Sequence, residues 1–191
     1  MTKQRMEAFS DGVLAIIITV MVLKIQIPKE STVSAFKELL PIFIVYILSY
    51  IYIGIYWLNH HYLVSAVQQV TSRHLWMNLH WLFWMSLIPM STEWGGNYPH
   101  DLAPAVFYGV ILLMSAISYF ILETTILKEN PKVPVNHHLK TVWSMVLYMS
   151  GIGCAFWYPL VSYVIYMGIL FMWFIPEKHK ALRGKERIKV K

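Results

Sequence analysis

The chain has 191 residues, of which 57% are hydrophobic, 15% aromatic and 14% charged, with a formal net charge of +6 and a mean hydropathy of +0.51. Soluble domains carry about 25% charged residues, so this composition excludes a disordered chain and argues against a soluble globule. At about 20 apolar residues per membrane span, the length holds about six spans with short loops and predicts one membrane domain over 1–191.

Apolar runs between charges give six candidate spans in chain order: 9–27, 39–64, 75–91, 102–127, 139–157 and 160–175. No small-residue cleavage site follows the first run, which is read as a retained span. Pro28-Lys29-Glu30-Ser31 ends it, and 68–74 separates the second span from the third. Residues 93–101 read as a polar, Gly-rich turn, 128–132 as another, and Trp157-Tyr158-Pro159 as a tight hairpin before the last helix, because Pro does not continue a helix internally. Continuous apolar runs of this length do not alternate, which excludes a membrane β-barrel. The predicted class is an all-α integral membrane protein with six transmembrane helices.

Lys and Arg orient the chain. With the N-terminus in the cytoplasm, the inner segments hold Lys3, Arg5, Arg73, Lys128, Lys132, Lys140 and the seven basic residues of the tail at about 176–191, while only Lys24, Lys29 and Lys37 lie at the outer side. That bias predicts both termini inside. The basic tail reads as a topology determinant near anionic lipid, and no nucleic-acid-reading module accompanies it. Cys154 is the only cysteine, so an intrachain disulfide and a Cys-based metal site are both excluded. No phosphate-binding Gly loop, metalloprotease helix, nucleophile elbow or carbonyl-type ion filter occurs.

The first span carries the unusual chemistry. Asp11 lies within it, and an ionisable residue in a span faces protein or water and has a partner. Arg5 and Asp11, six residues apart, sit on different faces of the helix, so each needs a partner from another helix. Asn59, His60 and His61 on the second span, and Asn78 and His80 on the third, stand at the right depth. Such a set fits an interhelical hydrogen-bond network, an ion or proton relay, or a permeation lining. Ile16, Val20, Leu23 and Ile27 form an apolar stripe with Thr19 beside it, and a stripe alone fits lipid contact or packing as well as a pore.

The run Arg5-x3-Phe9-Ser10-Asp11-Gly12, followed by an Ile-rich span with Thr19, resembles the signature of the transmembrane-protein-175 family, which includes the lysosomal potassium channel and smaller bacterial relatives. The resemblance extends to Trp57-Leu58-Asn59-His60-His61, Asn78-Leu79 and Ser86-Leu87-Ile88-Pro89. It implies a homotetramer of six-helix subunits in the plasma membrane of a bacterium, a potassium-preferring cation channel with potassium as permeant ion and no cofactor. It implies a pore lined by the first helix, with the narrow apolar ring at Ile16 and further rings near Thr19, Val20 and Leu23. It places Arg5, Phe9, Ser10 and Asp11 at the cytoplasmic end, tying the first helix to neighbours that include Asn59, His60, His61 and Asn78. Lys24 departs from a cation path: it either snorkels to the outer interface or, pointing inward, weakens conduction.

Four Ile16 side chains around an axis can exclude water and gate by dewetting. Potassium holds its shell less tightly than sodium, and Thr19 hydroxyls could accept a partly stripped ion. The competing function is a proton- or cation-coupled secondary transporter using Asp11 and Glu123, although such carriers show repeats and broken helices, whereas no repeat is visible here and the first span has no mid-helix Pro. Glu123, one turn from the border, is expected to reach water, and the tryptophans near span ends to form aromatic belts. The His pairs at 60–61 and 137–138 point to different faces and have no carboxylate at ligand spacing, so neither a metal site nor an enzyme is expected.

Overall fold

The computed structural model describes residues 2–28, 30–65, 67–129 and 138–174. Lys29, Lys132, His137, the side chain of His138 and the basic tail at about 176–191 therefore lie outside the described residues. The described chain forms helices α1 (Lys3–Leu23), α2 (Val33–Glu38), α3 (Leu40–Ser65), α4 (Ser72–Ser86), α5 (Ile88–Asn97), α6 (Leu102–Glu129), α7 (His138–Cys154) and α8 (Pro159–Phe174).

Three of them, α1, α3 and α6, are long and apolar enough to cross a membrane. The third apolar run is instead split at Leu87 into α4 and α5, with Pro89 in the first turn of α5, and α7 and α8 are 17 and 16 residues long. Hydropathy also misplaces α1 at both ends. Thr2 caps it by accepting from Arg5 N, so the largely polar stretch Lys3–Ala8 is helical, and it stops at Leu23 with Lys24 as C-cap. Ile27 is therefore off the helix and does not extend the Ile16 stripe.

Residues 93–97, expected in a turn, are the end of α5. The two glycines there serve close packing rather than reversal. A Cβ on Gly96 would stand 2.5 Å from Ile42 Cα on α3, and one on Gly95 would stand 2.5 Å from the Tyr163 hydroxyl on α8. Gly96→Ala should therefore separate α5 from α3 and destabilise the subunit by about 1–3 kcal/mol, the usual cost of overpacking. Thermal unfolding in detergent would read this as a lowered Tm, and an unchanged Tm would show that the helices do not meet there.

Helix α6 is central, packing against α4, α5, α7 and α8, while α1 lies against α3, α4 and α5. One apolar core joins Leu14, Ile17 and Met21 of α1 to Trp81 and Met85 of α4 and Leu122 of α6. A second joins α3, α6, α7 and α8 through Tyr52, Tyr108, Tyr148, Tyr163 and Tyr166, whose rings meet at centroid distances near 6 Å. A buried tyrosine usually finds a partner for its polar end: Tyr52 donates to Tyr166 O at 2.8 Å, whereas the Tyr163 hydroxyl has no hydrogen-bond partner among the described residues. Helices α7 and α8 turn directly onto each other, Pro159 standing at the first position of α8 where its missing N–H costs nothing.

Candidate functional site: the two faces of the first helix

Helix α1 divides sharply into two faces. Met6, Ser10, Leu14, Ile17 and Met21 recur at spacings of three and four and are buried. Phe9, Gly12, Ile16, Thr19, Val20 and Leu23 lie on the other side, with Ile16 62% and Leu23 80% exposed. An apolar row this exposed on a membrane subunit fits lipid contact, a neighbouring copy or a conduction path, and Phe171 and Phe174 of α8 are exposed to a similar degree.

The buried face is anchored at two levels. At the first, His60 Nε2 lies 2.9 Å from Asn78 Oδ1, Asn78 Nδ2 donates to Ser10 Oγ at 2.9 Å, and Ser10 donates to Met6 O at 2.9 Å. Since the Asn78 amide nitrogen is the donor to Ser10, its oxygen must accept, which puts the His60 proton on Nε2. The chain of donors then runs one way from α3 through α4 to α1. His60 is fully buried and stacks on Trp81, ring centroids 4.8 Å apart. At the second level Thr92 of α5 contacts Met21 Sδ at 3.8 Å and shares a 2.6 Å hydrogen bond with Ser49 of α3, which also meets the Tyr108 hydroxyl of α6 at 3.0 Å.

Beside the first level two acids of α1 reach α3. Trp57 Nε1 donates to Asp11 Oδ1 at 2.9 Å, and His61 Nδ1 meets Glu7 Oε1 at 2.7 Å. The acids are four residues apart on α1 and their partners four apart on α3, so each pair faces its mate one turn along. A cleft of about 740 Å³ opens next to them between α1, α3 and α8, lined among others by Asp11, Ala15, Ile18, Trp57 and Asn59.

Of the residues expected in a polar network, the structure thus brings together Ser10, Asn78 and His60, and pairs Asp11 and His61 with one partner each. Three stand apart from it within the chain. Arg5 and Phe9 are exposed on the same face as Ile16, and Asn59 donates to Ile55 O of its own helix. Glu7 and Trp57 were missed as partners, although their spacing of four to Asp11 and His61 was readable. Thr19 donates to Ile16 O at 2.9 Å, which uses its hydroxyl proton. Lys24 is bound to Glu93 of α5 at 3.2 Å.

Two further expectations fail. Glu123 does not reach water but is 7% exposed, on a helix that packs against α4, α5, α7 and α8. Trp81 belongs to no belt: it is buried between His60, Tyr56 and Tyr119. His74, also buried, closes a capping box with Thr71, and its Nε2 lies 3.0 Å from Glu129 Oε2 at the end of α6 without the alignment of a hydrogen bond. Among the described residues no three metal-ligating side chains cluster.

Fold and site together define a helical membrane protein whose N-terminal helix is pinned from behind and bare in front. A sequence profile of the family described as "Endosomal/lysosomal potassium channel TMEM175" matches residues 5–89, which hold most of α1 together with α3 and α4. A protein named as a potassium channel in Chryseobacterium sp. (strain P1-3) is 46% identical over 183 residues, 93% of this chain and 95% of that one. Another named potassium channel, from Streptomyces collinus, is 33% identical over 124 residues, 60% of each chain. The fold matches the crystal structure of a lysosomal potassium-selective channel TMEM175 homolog from Chamaesiphon minutus with a TM-score of 0.76, covering 90% of this chain and 95% of that chain at 24% identity. The chain belongs to the TMEM175 family.

Proposed function

We propose that this protein is a potassium-preferring cation channel in which four copies surround an axis and the bare face of α1 lines the path. Six spans per subunit are assigned to α1, α3, α4 with α5, α6, α7 and α8, with both termini in the cytoplasm of a bacterium by the Lys and Arg bias. The observation that carries the reading is the division of α1: a rigidly anchored back and an exposed apolar row of Ile16, Val20 and Leu23. A single subunit encloses no path along that row, whereas repetition about an axis would. The names of the bacterial relatives supply potassium as the ion, whereas vertebrate relatives, of whose length this chain covers under a third, are named proton channels; neither name supports the coupled-transporter alternative.

In this reading Ile16 forms the narrow ring and acts by dewetting. Arg5 and Phe9, on the same face toward the N-terminus, meet neighbouring copies or the inner mouth, and Asp11 and Ser10 hold the helix at its flank and back. Purified protein in liposomes should pass potassium down its gradient without a proton gradient, and should migrate in detergent at about 90 kDa, four times the 22.3 kDa chain. A monomer, or flux only when protons move, would remove the channel reading.

Thr19 sits one turn from the Ile16 ring. Its proton is committed to Ile16 O, so its lone pairs are free to accept a partly stripped cation. Thr19→Val keeps the shape and deletes the acceptor. At about 0.5–1.5 kcal/mol for the difference between ions, the potassium-to-sodium permeability ratio should fall by about two- to tenfold. Bi-ionic reversal potentials measure it, and an unchanged ratio would leave selectivity to Ile16 alone.

A further inference from the structure

Lys24 follows directly on Leu23, at the end of the bare row, and a free ammonium there would oppose cations. Its position on the helix explains why it does not. Leu23 shares the bare face with Ile16, and Lys24, one residue on, is turned about 100° away from it, toward the side of α1 that packs on α3, α4 and α5. There its Nζ lies 3.2 Å from Oε2 of Glu93. Among the described residues no other charged group pairs with either. Glu93 is available because α5 continues as a helix through 93–97, seated at close range on α3 by Gly96 against Ile42.

We propose that Glu93 is a positioning and charge-setting residue for permeation: it draws Lys24 off the lumen and cancels its charge at the Leu23 end of the path. The inference rests on the channel reading above. Both side chains are partly exposed, 49% and 30%, and ion pairs of that kind add little to folding stability. The consequence is therefore electrostatic. Removing the carboxylate changes that mouth by one positive charge per subunit, four in a tetramer. For charges about 10 Å from the axis, a screened potential lowers the local cation concentration about threefold at 0.1 M salt and hardly at all at 1 M.

The test is bilayer recording of wild type, Glu93→Gln, Lys24→Gln and the double variant in 0.1 M and 1 M KCl. Glu93→Gln should conduct about threefold less than wild type at 0.1 M, Lys24→Gln about threefold more, and the double variant should match wild type. All four should converge at 1 M, with similar unfolding temperatures. A Glu93→Gln conductance equal to wild type at 0.1 M, or a loss that persists at 1 M or in the double variant, overturns the proposal. If Glu93→Gln does not assemble, Lys24→Gln decides alone, because unchanged conductance at 0.1 M rules out a charge at that mouth. Wild type without potassium current would instead remove the channel reading itself.

Discussion

Ile16→Asn should raise potassium conductance by at least about tenfold and bring the potassium-to-sodium ratio close to unity. Ile16 is 62% exposed on the bare face of α1 and faces no side chain of its own subunit core. A ring of four isoleucines offers no acceptor, so a crossing ion loses part of its shell without replacement. Asn supplies a carbonyl and keeps water in the ring. If each of four amides lowers the barrier by about 0.5–1 kcal/mol, the sum exceeds the 1.4 kcal/mol that corresponds to a factor of ten in rate. Selectivity falls because both ions then pass hydrated. Folding should be untouched, since the buried row of Met6, Ser10, Leu14, Ile17 and Met21 is intact. Recordings under symmetric and bi-ionic conditions measure both effects, and an unaltered current would mean that Ile16 meets lipid.

Asn78→Ala should be the most damaging change at the back of α1. Asn78 is 2% exposed and connects His60 to Ser10. Its removal orphans the buried His60 N–H, whose other ring nitrogen already has no partner, and it breaks two interhelical bonds. Bonds of that kind inside membranes average about 0.6 kcal/mol, and an orphaned donor costs about 1–3 kcal/mol. Together these predict a loss of about 2–4 kcal/mol, seen as a lower Tm and a polydisperse profile on size exclusion. Arg5→Ala, at an exposed position whose side chain has no hydrogen bond or ion pair among the described residues, should change subunit unfolding by less than about 0.5 kcal/mol. Equal effects of the two substitutions would contradict the anchoring described for α1.

The helical membrane class and the stripe on α1 were legible because both depend on composition and on a period of 3.6. Asp11 and Asn78 stood out for the same local reason: polar groups in apolar runs need partners. What stayed hidden depends on contacts between segments distant in sequence. Gly95 and Gly96 resemble turn residues until Ile42 and Tyr163 are seen against them. Lys24 reads either as snorkelling to the interface or as an obstacle in the path until Glu93 is found beside it. Glu123 reads as close to water because its distance from a span end is visible in sequence, whereas the number of helices around α6 is not. The start of α1 at Lys3 escapes a hydropathy reading because Thr2 caps the backbone there and side-chain polarity does not decide it.

The central claim, that the bare face of α1 lines the conduction path, is tested most directly by cysteine accessibility. Cys154 is the one native thiol and is partly exposed, so Cys154→Ser provides the background. In that background Ile16→Cys should lose its potassium current irreversibly on exposure to a positively charged methanethiosulfonate reagent. Leu14→Cys, two residues away on the buried face, should keep it. An Ile16→Cys current that survives a reagent shown by mass to have reacted, or a block at Leu14→Cys alone, would contradict the account.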